Sequence, residues 1–277
     1  MTTTDAELPP LPRTTGVRLE GKRAIVTGAG SRAEGIGNGR AAATLFALEG
    51  ARVLLVDSNT DAAEATRALI LGHRPEADVA VFEGDVTDSE SCAAMVRTAV
   101  ERWGGLDVLH NNVGIGLAGA SNVVDVDEDD WARVQHVNVD SMMLTGKHAV
   151  PAMRDSGGGA IINVSSIAAL RPRGLTAYAT SKGAVIALTQ AMAVDHARDG
   201  IRVNCIAPGP VYTPMVYAGG MSEERRETRR RASLLEVEGS GWDIGMAAVY
   251  LASDESRYVT GVVLPVDGGV LLRGPER

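Results

Sequence analysis

The sequence predicts an α/β fold in a single domain: a doubly wound parallel sheet with helices on both faces. Three observations carry that expectation. Short apolar runs of strand length alternate with helical stretches from residue 23 to residue 206, the rhythm of a parallel sheet covered on both sides. No internal repeat and no interdomain linker breaks the alternation. Of 277 residues 45% are hydrophobic and 22% charged, which suits a soluble globular protein with a large core. With 32 glycines and only 4% aromatic residues, that core must pack through small and β-branched side chains.

Taken in order, residues 1–17 carry prolines at 9, 10 and 12 and read as a flexible N-terminal arm ahead of a domain spanning 18–277. Residues 23–27 (Arg-Ala-Ile-Val-Thr) form a short apolar strand, 28–39 a glycine-rich loop, 40–49 a helix, and 52–57 (Arg-Val-Leu-Leu-Val-Asp) a second buried strand. Helices over 61–71 and 89–103 bracket a strand at 79–82. A strand at 107–110 leads into the loop Asn111-Asn112-Val113-Gly114, and 131–154 reads as one long helix. A strand ending at Val164, a helix over 176–198 and a strand over 201–206 complete the regular part. Residues 211–238 are polar and read as a lid segment, whose arginine run near 225–231 suits a solvated helix face. A small-residue helix follows over 241–252. The last strand, 262–267, contains Pro265, which cannot donate to a ladder and therefore belongs at the sheet edge.

Composition excludes several classes. A net charge of −8 argues against nucleic acid or an anionic membrane surface as the main partner. No apolar run reaches the ~20 residues of a membrane span, and residues 1–12 lack the apolar centre of a signal peptide. Cys92 and Cys205 offer no disulfide framework, so a reduced, cytoplasmic setting is expected. The acids at 125 and 127–130 lack a glycine-bearing calcium loop and suit the start of a helix, and the five histidines show no ligand spacing; no metal is expected.

The first strand–loop–helix–strand unit has a chemical meaning. Its glycines let backbone N–H groups approach a pyrophosphate, and the helix N-terminus adds positive potential. Asp57 ends the second strand twenty positions after Gly37, the distance at which an acid takes the ribose hydroxyls of a dinucleotide in a Rossmann fold. A carboxylate there repels the 2′-phosphate of NADP and argues for NAD, whereas Arg32 in the loop points weakly the other way. Further on, Tyr178 and Lys182 lie four apart at the head of a helix and share one face. A phenol beside an ammonium is an acid/base unit, the positive charge moving the phenol towards working pH. Ser166 closes the preceding strand, and a loop with Pro172 and Gly174 can fold it back towards the tyrosine.

Over residues 18–270 these features resemble the short-chain dehydrogenase/reductase family. Gly28, Ser31, Arg32, Gly35, Ile36 and Gly37 resemble its cofactor loop. Asp85-Val86 resembles its adenine-binding pair, Asn111-Asn112-Val113-Gly114 its Asn-Asn-Ala-Gly turn with Val for Ala, and Pro208-Gly209 with Val211 and Thr213 the segment over the nicotinamide. Asn138, Ser166, Tyr178 and Lys182 match its catalytic tetrad, and Asp267-Gly268-Gly269 its C-terminal signature. Two departures stand out. Six residues, 29–34, separate the first two glycines where the family has three, and the serine-to-tyrosine loop is one residue short, which leaves Ser165 beside Ser166 as a candidate.

The resemblance implies an NAD-dependent oxidoreductase interconverting a secondary alcohol and a ketone. Tyr178 is then the general acid/base, also touching cofactor, and Lys182 lowers its pKa and holds the nicotinamide ribose. Ser166 polarises the substrate oxygen, and Asn138 positions the water of a proton relay. A homotetramer is also implied, supported by the edge strand and the small-residue helix. Two alternatives stand: an NADPH-dependent keto reductase of biosynthesis, and a nucleotide-sensing protein without catalysis. The substrate is not legible; Arg171 and Arg173 offer partners for a substrate carboxylate, but read first as solvated loop arginines.

Overall fold

The structure, a computed structural model, describes residues 9–117 and 122–274. Chain order runs β1 (Arg23–Thr27), α1 (Asn38–Leu48), β2 (Arg52–Asp57), α2 (Thr60–His73), β3 (Val79–Glu83), α3 (Ser89–Trp103) and β4 (Val108–Asn111). It continues with α4 (Glu128–Gln135), α5 (Ser141–Asp155), β5 (Gly159–Val164), α6 (Thr176–His196) and β6 (Ile201–Pro208). The end comprises α7 (Pro214–Tyr217), α8 (Glu223–Arg231), α9 (Gly241–Ala252) and β7 (Val263–Val266). Among the described residues one all-parallel sheet has the order β3-β2-β1-β4-β5-β6-β7, with the Pro265 strand at its edge as expected. No helix among them is long and apolar enough to cross a membrane.

The alternation of side chains across the pleat splits the core in two. Ala24, Val26, Val53 and Leu55 face a layer built on α1 and α9, while Ile25, Leu54 and Val56 face α3 and α5. Glycine brings α1 and α9 together: a Cβ on Gly245 would stand 2.8 Å from Leu45 Cδ1 and 3.1 Å from the Ala41 carbonyl carbon. Short polar residues start most helices. Asn59 caps α2, Asp88 caps α3 and Ser222 caps α8. The acids before Trp131 do the same work, since Asp127 accepts from the Asp129 and Asp130 N–H groups.

Strand order reverses direction between β1 and β4, so the loops leaving their C-terminal ends diverge and open a crevice. The loops after β1, β2, β3, β4, β5 and β6 all reach it.

Three expectations need correction. The helix over 131–154 is two helices, α4 and α5, joined by a π-helical turn at His136–Asp140 that carries Asn138. The extra residue per turn is held by side-chain bonds to another loop, described below. The arginine run of α8 is also less solvated than it reads. Arg230 and Arg231 pair with Glu227, and Arg226 makes two bonds to Glu238 while covering the Tyr212 ring at 4.2 Å.

The third concerns the arm. Its residues 1–8 lie outside the described residues, but 9–17 are fastened. Thr15 donates its N–H and hydroxyl to the buried Glu49 carboxylate, Gly16 and Arg18 add N–H bonds, and Trp242 Nε1 donates to the Pro9 carbonyl. Burial alone would raise the Glu49 carboxyl; the bonds from Thr15, Arg18 and Gly16 carry it below its ordinary value.

His110, in the middle of β4, is fully buried against Phe46 at 5.9 Å, with neither ring nitrogen hydrogen-bonded. Burial lowers its pKa to about 4, so the folded protein keeps the ring neutral. Because the folded value lies below the unfolded one, the stability this gives is whole above about pH 6.5 and is lost as pH falls towards 4. Linkage puts the loss between pH 7.5 and 5 at about 2 kcal/mol. Chemical denaturation at the two pH values is expected to show that drop, and His110→Leu to lack it without being less stable at pH 7.5. An identical drop in the variant would place the sensitivity elsewhere.

Candidate active site

The crevice is a cleft of about 970 Å³, at the upper end of the roughly 300–1,000 Å³ common for ligand sites. One wall is the β1–α1 loop. Gly28 takes φ +62°, and a Cβ there would meet Asn112 Nδ2 at 2.9 Å, because the Asn112 amide donates to the Gly28 carbonyl and ties the loops after β1 and β4 together. Gly39, unremarked in the sequence, matters more: a Cβ there would lie 2.0 Å from the Gly28 carbonyl oxygen. The N-terminus of α1 opens into the cleft at Gly37, Asn38 and Gly39. Unlike α2, α3, α4 and α8, this helix has no side-chain cap and no acid in its first turn. Its free N–H groups and positive end suit a diphosphate. Asn38 Oδ1, buried and without a partner, adds an acceptor on the same wall.

The long glycine loop is braced from outside. Tyr217 of α7 donates its hydroxyl to the Glu34 carbonyl at 2.9 Å, and Arg40 donates to the Gly35 carbonyl, Thr66 Oγ1 and the Ala62 carbonyl. Gly35 and Ile36 are therefore set apart from the cleft wall. Gly35 (φ +124°) packs under Tyr217, where a Cβ would fall 1.8 Å from the hydroxyl oxygen, and Ile36 is buried in the core. Ser31 lines the cleft and donates to the Ala33 carbonyl. Arg32 reaches over the cleft to the Gly114 carbonyl at 2.9 Å.

Beyond β2 and β3, Asp57 accepts from the Gly30 N–H at 2.9 Å and the Asn59 N–H at 3.0 Å, and among the described residues it has no ion pair. Asp85 accepts from the Thr87 hydroxyl and N–H, bonds that hold its carboxyl below the usual range, and Val86 lines the cleft beside it. Ser58, Asn59 and Thr87 also line this end; polar loop residues after apolar strands were the signal for them.

The other end gathers the acid/base candidates. Ser166, Tyr178 and Lys182 line the cleft together with Asn112, Val113 and Gly114. Lys182 Nζ lies 5.8 Å from the centre of the Tyr178 ring and donates to the Val164 carbonyl at 2.9 Å. The spacing Tyr178-x-x-x-Lys182 on α6 explains this: four residues bring both side chains to the face turned on β5. Ser165 also lines the cleft but commits its hydroxyl to the Lys182 carbonyl at 2.7 Å, whereas Ser166 caps the next short turn and interacts with the Tyr178 phenol.

Electrostatics differ from the expectation here. Burial raises the Tyr178 pKa, the Ser166 hydrogen bond opposing it, so in the free protein the phenol is harder to ionise than usual. Burial also lowers Lys182 to about 8. The expected lowering of the tyrosine by an adjacent ammonium loses to desolvation of both groups.

Asn138 stands behind the wall. Its Oδ1 accepts from the Ile115 N–H at 2.7 Å, and its Nδ2 donates to the Ile115 carbonyl and to Ser181 Oγ, each at 2.9 Å. Both amide hydrogens are thus committed to holding the loop after β4 against α6. Pro208, Gly209, Val211 and Thr213 line the cleft after β6; a Cβ on Gly209 would touch the Asp267 backbone at 2.5 Å. Arg171, Arg173 and Arg229 also line it. Arg171 is not solvated as expected: it donates to the Val270 and Arg273 carbonyls.

A family model described as enoyl-(acyl carrier protein) reductase matches residues 31–271. Levodione reductase from Leifsonia aquatica is 34% identical over 261 residues, covering 91% of this chain and 95% of that protein. Meso-2,3-butanediol dehydrogenase from Serratia marcescens is 34% identical over 254 residues, covering 91% and 96%. The solved structure of a short-chain type dehydrogenase/reductase from Mycobacterium ulcerans superposes with a TM-score of 0.85 at 30% identity, covering 93% of this chain and 92% of that one.

Proposed function

The chain belongs to the short-chain dehydrogenase/reductase family, oxidoreductases that use nicotinamide cofactors, and from that premise we propose that it couples a secondary alcohol and its ketone to NAD(H) through Tyr178. The observation that carries this reading is the convergence of Ser166, Tyr178 and Lys182 at one end of a cleft whose other end presents an uncapped helix N-terminus and Asp57. The bound nicotinamide supplies or accepts the hydride. Everything else falls to the chain. The α1 N-terminus, with Gly28 and Gly37, takes the diphosphate, Asp57 the adenosine ribose, and Asp85 with Val86 the adenine. Asn112, Val113, Gly114, Pro208, Gly209, Val211 and Thr213 enclose the nicotinamide half.

Ser166 donates to the substrate oxygen. Tyr178 gives that oxygen a proton in ketone reduction and removes one in alcohol oxidation. Lys182 binds the ribose and restores the proton of the tyrosine, and Asn138 holds the Ile115 loop that shapes the wall. The segment over residues 211–238 acts as a lid: Tyr217 already locks it to the glycine loop. NADH formation from a panel of secondary alcohols tests the reading. Tight dinucleotide binding with no turnover of any alcohol or ketone would favour the sensing alternative.

Assembly as a homotetramer is proposed on the edge position of β7; the small-residue face of α9, expected to serve the same purpose, is taken up by α1 within the protomer. Sedimentation at micromolar concentration is expected to give four times the 28.9 kDa chain mass; a monomer would refute it.

A further inference from the structure

Negative charge is confined to one end of the cleft. Its lining carboxylates, Asp57 and Asp85, come from the β2 and β3 ends, while cations line it at both ends, Arg32 from the β1 loop included. The lining supplied by the segments after β5, β6 and β7 holds Arg171, Arg173 and Arg229, and no aspartate or glutamate.

Arg229 is the informative one. The other α8 arginines that make ion pairs, Arg226, Arg230 and Arg231, use up Glu238 and Glu227. Arg229 turns to the cleft from the same helix and has no ion pair among the described residues. Its Nη2 donates to the Val211 carbonyl at 3.3 Å, and its Nε is buried with no partner. Burial and the nearby Arg225 both disfavour its charge. A half-buried guanidinium without a counter-ion is costly, and a ligand oxyanion meeting its cleft-facing end offsets that cost better than a neutral group. Arg171 adds positive potential from the facing loop, its guanidinium fixed by two carbonyls instead of a carboxylate.

We propose that the substrate carries an oxyanion, a carboxylate or a phosphate ester, which Arg229 binds while the carbinol or carbonyl carbon sits at Tyr178. This rests on the hydride-transfer reading of the same cleft. For a hydroxy acid the balance is hydroxy acid plus NAD⁺ giving oxo acid plus NADH plus one proton. The carbinol C–H bond breaks with its electron pair going to the nicotinamide, and the hydroxyl proton leaves through Tyr178. The anionic group is unchanged and serves only to bind and orient.

Calorimetric titration of the NADH-loaded protein tests this with straight-chain carboxylates from acetate to octanoate, alkyl phosphates of matching length, and the corresponding amides. At least one anion series is expected to bind about tenfold or more tightly than its amides. Whether carboxylates or phosphates show the larger advantage identifies the oxyanion. Arg229→Gln is expected to erase the advantage while leaving NADH affinity unchanged, and Arg225→Gln, an exposed change on the same helix, to leave it intact. Amides binding as well as both anion series at every length would overturn the proposal, as would an advantage that survives Arg229→Gln. The same titrations without cofactor keep the two readings apart. An anion preference in a protein that fails to bind NADH would sink the dinucleotide reading and leave the arginine site standing.

Discussion

Tyr178→Phe is expected to lose at least about 10²-fold in turnover, the usual contribution of a positioned acid/base group. Only one oxygen is removed. The ring stays, so its packing at the head of α6 survives, and melting temperature and NAD affinity should change little. Lys182→Ala is expected to reduce both turnover and NAD affinity, since its Nζ stands beside Gly114, the Val164 carbonyl and the Tyr178 ring. The double variant should be hardly worse than the worse single one, because the two groups act as a unit. The direction of the pKa shifts sets the pH profile. Burial raises the phenol above its ordinary value, so near neutrality Tyr178 is protonated and ready to donate to a ketone oxygen. Alcohol oxidation needs the phenolate and should therefore accelerate with pH, while ketone reduction should not gain. Near-native turnover by Tyr178→Phe on a confirmed substrate, in either direction, would end this mechanism.

What the sequence showed and what it hid divide along a physical line. The β1–loop–α1–β2 unit was legible because each of its constraints is local: a glycine at a tight turn, an apolar strand, an acid twenty positions on. The Tyr178–Lys182 pair was legible for the same reason, as one helical turn. The features that escaped depend on contacts between distant segments. Gly35 reads as a cofactor glycine, yet it is covered by Tyr217, whose hydroxyl bonds to a carbonyl 183 residues away. Residues 131–154 have helical periodicity throughout. Only the bonds between Asn138 and Ile115, 23 positions apart, call for the π-helical turn. Arg229 sits in a run of arginines that looks uniformly solvated, and its turn into the cleft follows from where α8 packs. The direction of the Tyr178 pKa shift is hidden for the same reason: a neighbouring charge can be read from spacing, whereas burial cannot.

NAD is expected to bind the native protein on the order of 10²-fold more tightly than NADP. The reason is Asp57. Its carboxylate lines the cleft, fixed by the Gly30 and Asn59 N–H groups, with no cation paired to it among the described residues. Two unit charges about 5 Å apart at an effective dielectric of about 20 repel by roughly 3 kcal/mol, and a tenfold difference needs only about 1.4. The nearby cations do not reverse this. Arg32 reaches the Gly114 carbonyl on the opposite wall, and the three donor nitrogens of Arg40 are committed to Gly35, Thr66 and Ala62. Asp57→Asn is the sharper test, because the amide oxygen can still accept from Gly30 while the charge is gone. It should narrow the NAD preference mainly by improving NADP. Asp57→Ala also strands two N–H groups, so it should lose NAD affinity as well. Equal affinity of the native protein for the two cofactors would refute the assignment and turn attention to a guanidinium of Arg32 swung back towards the ribose.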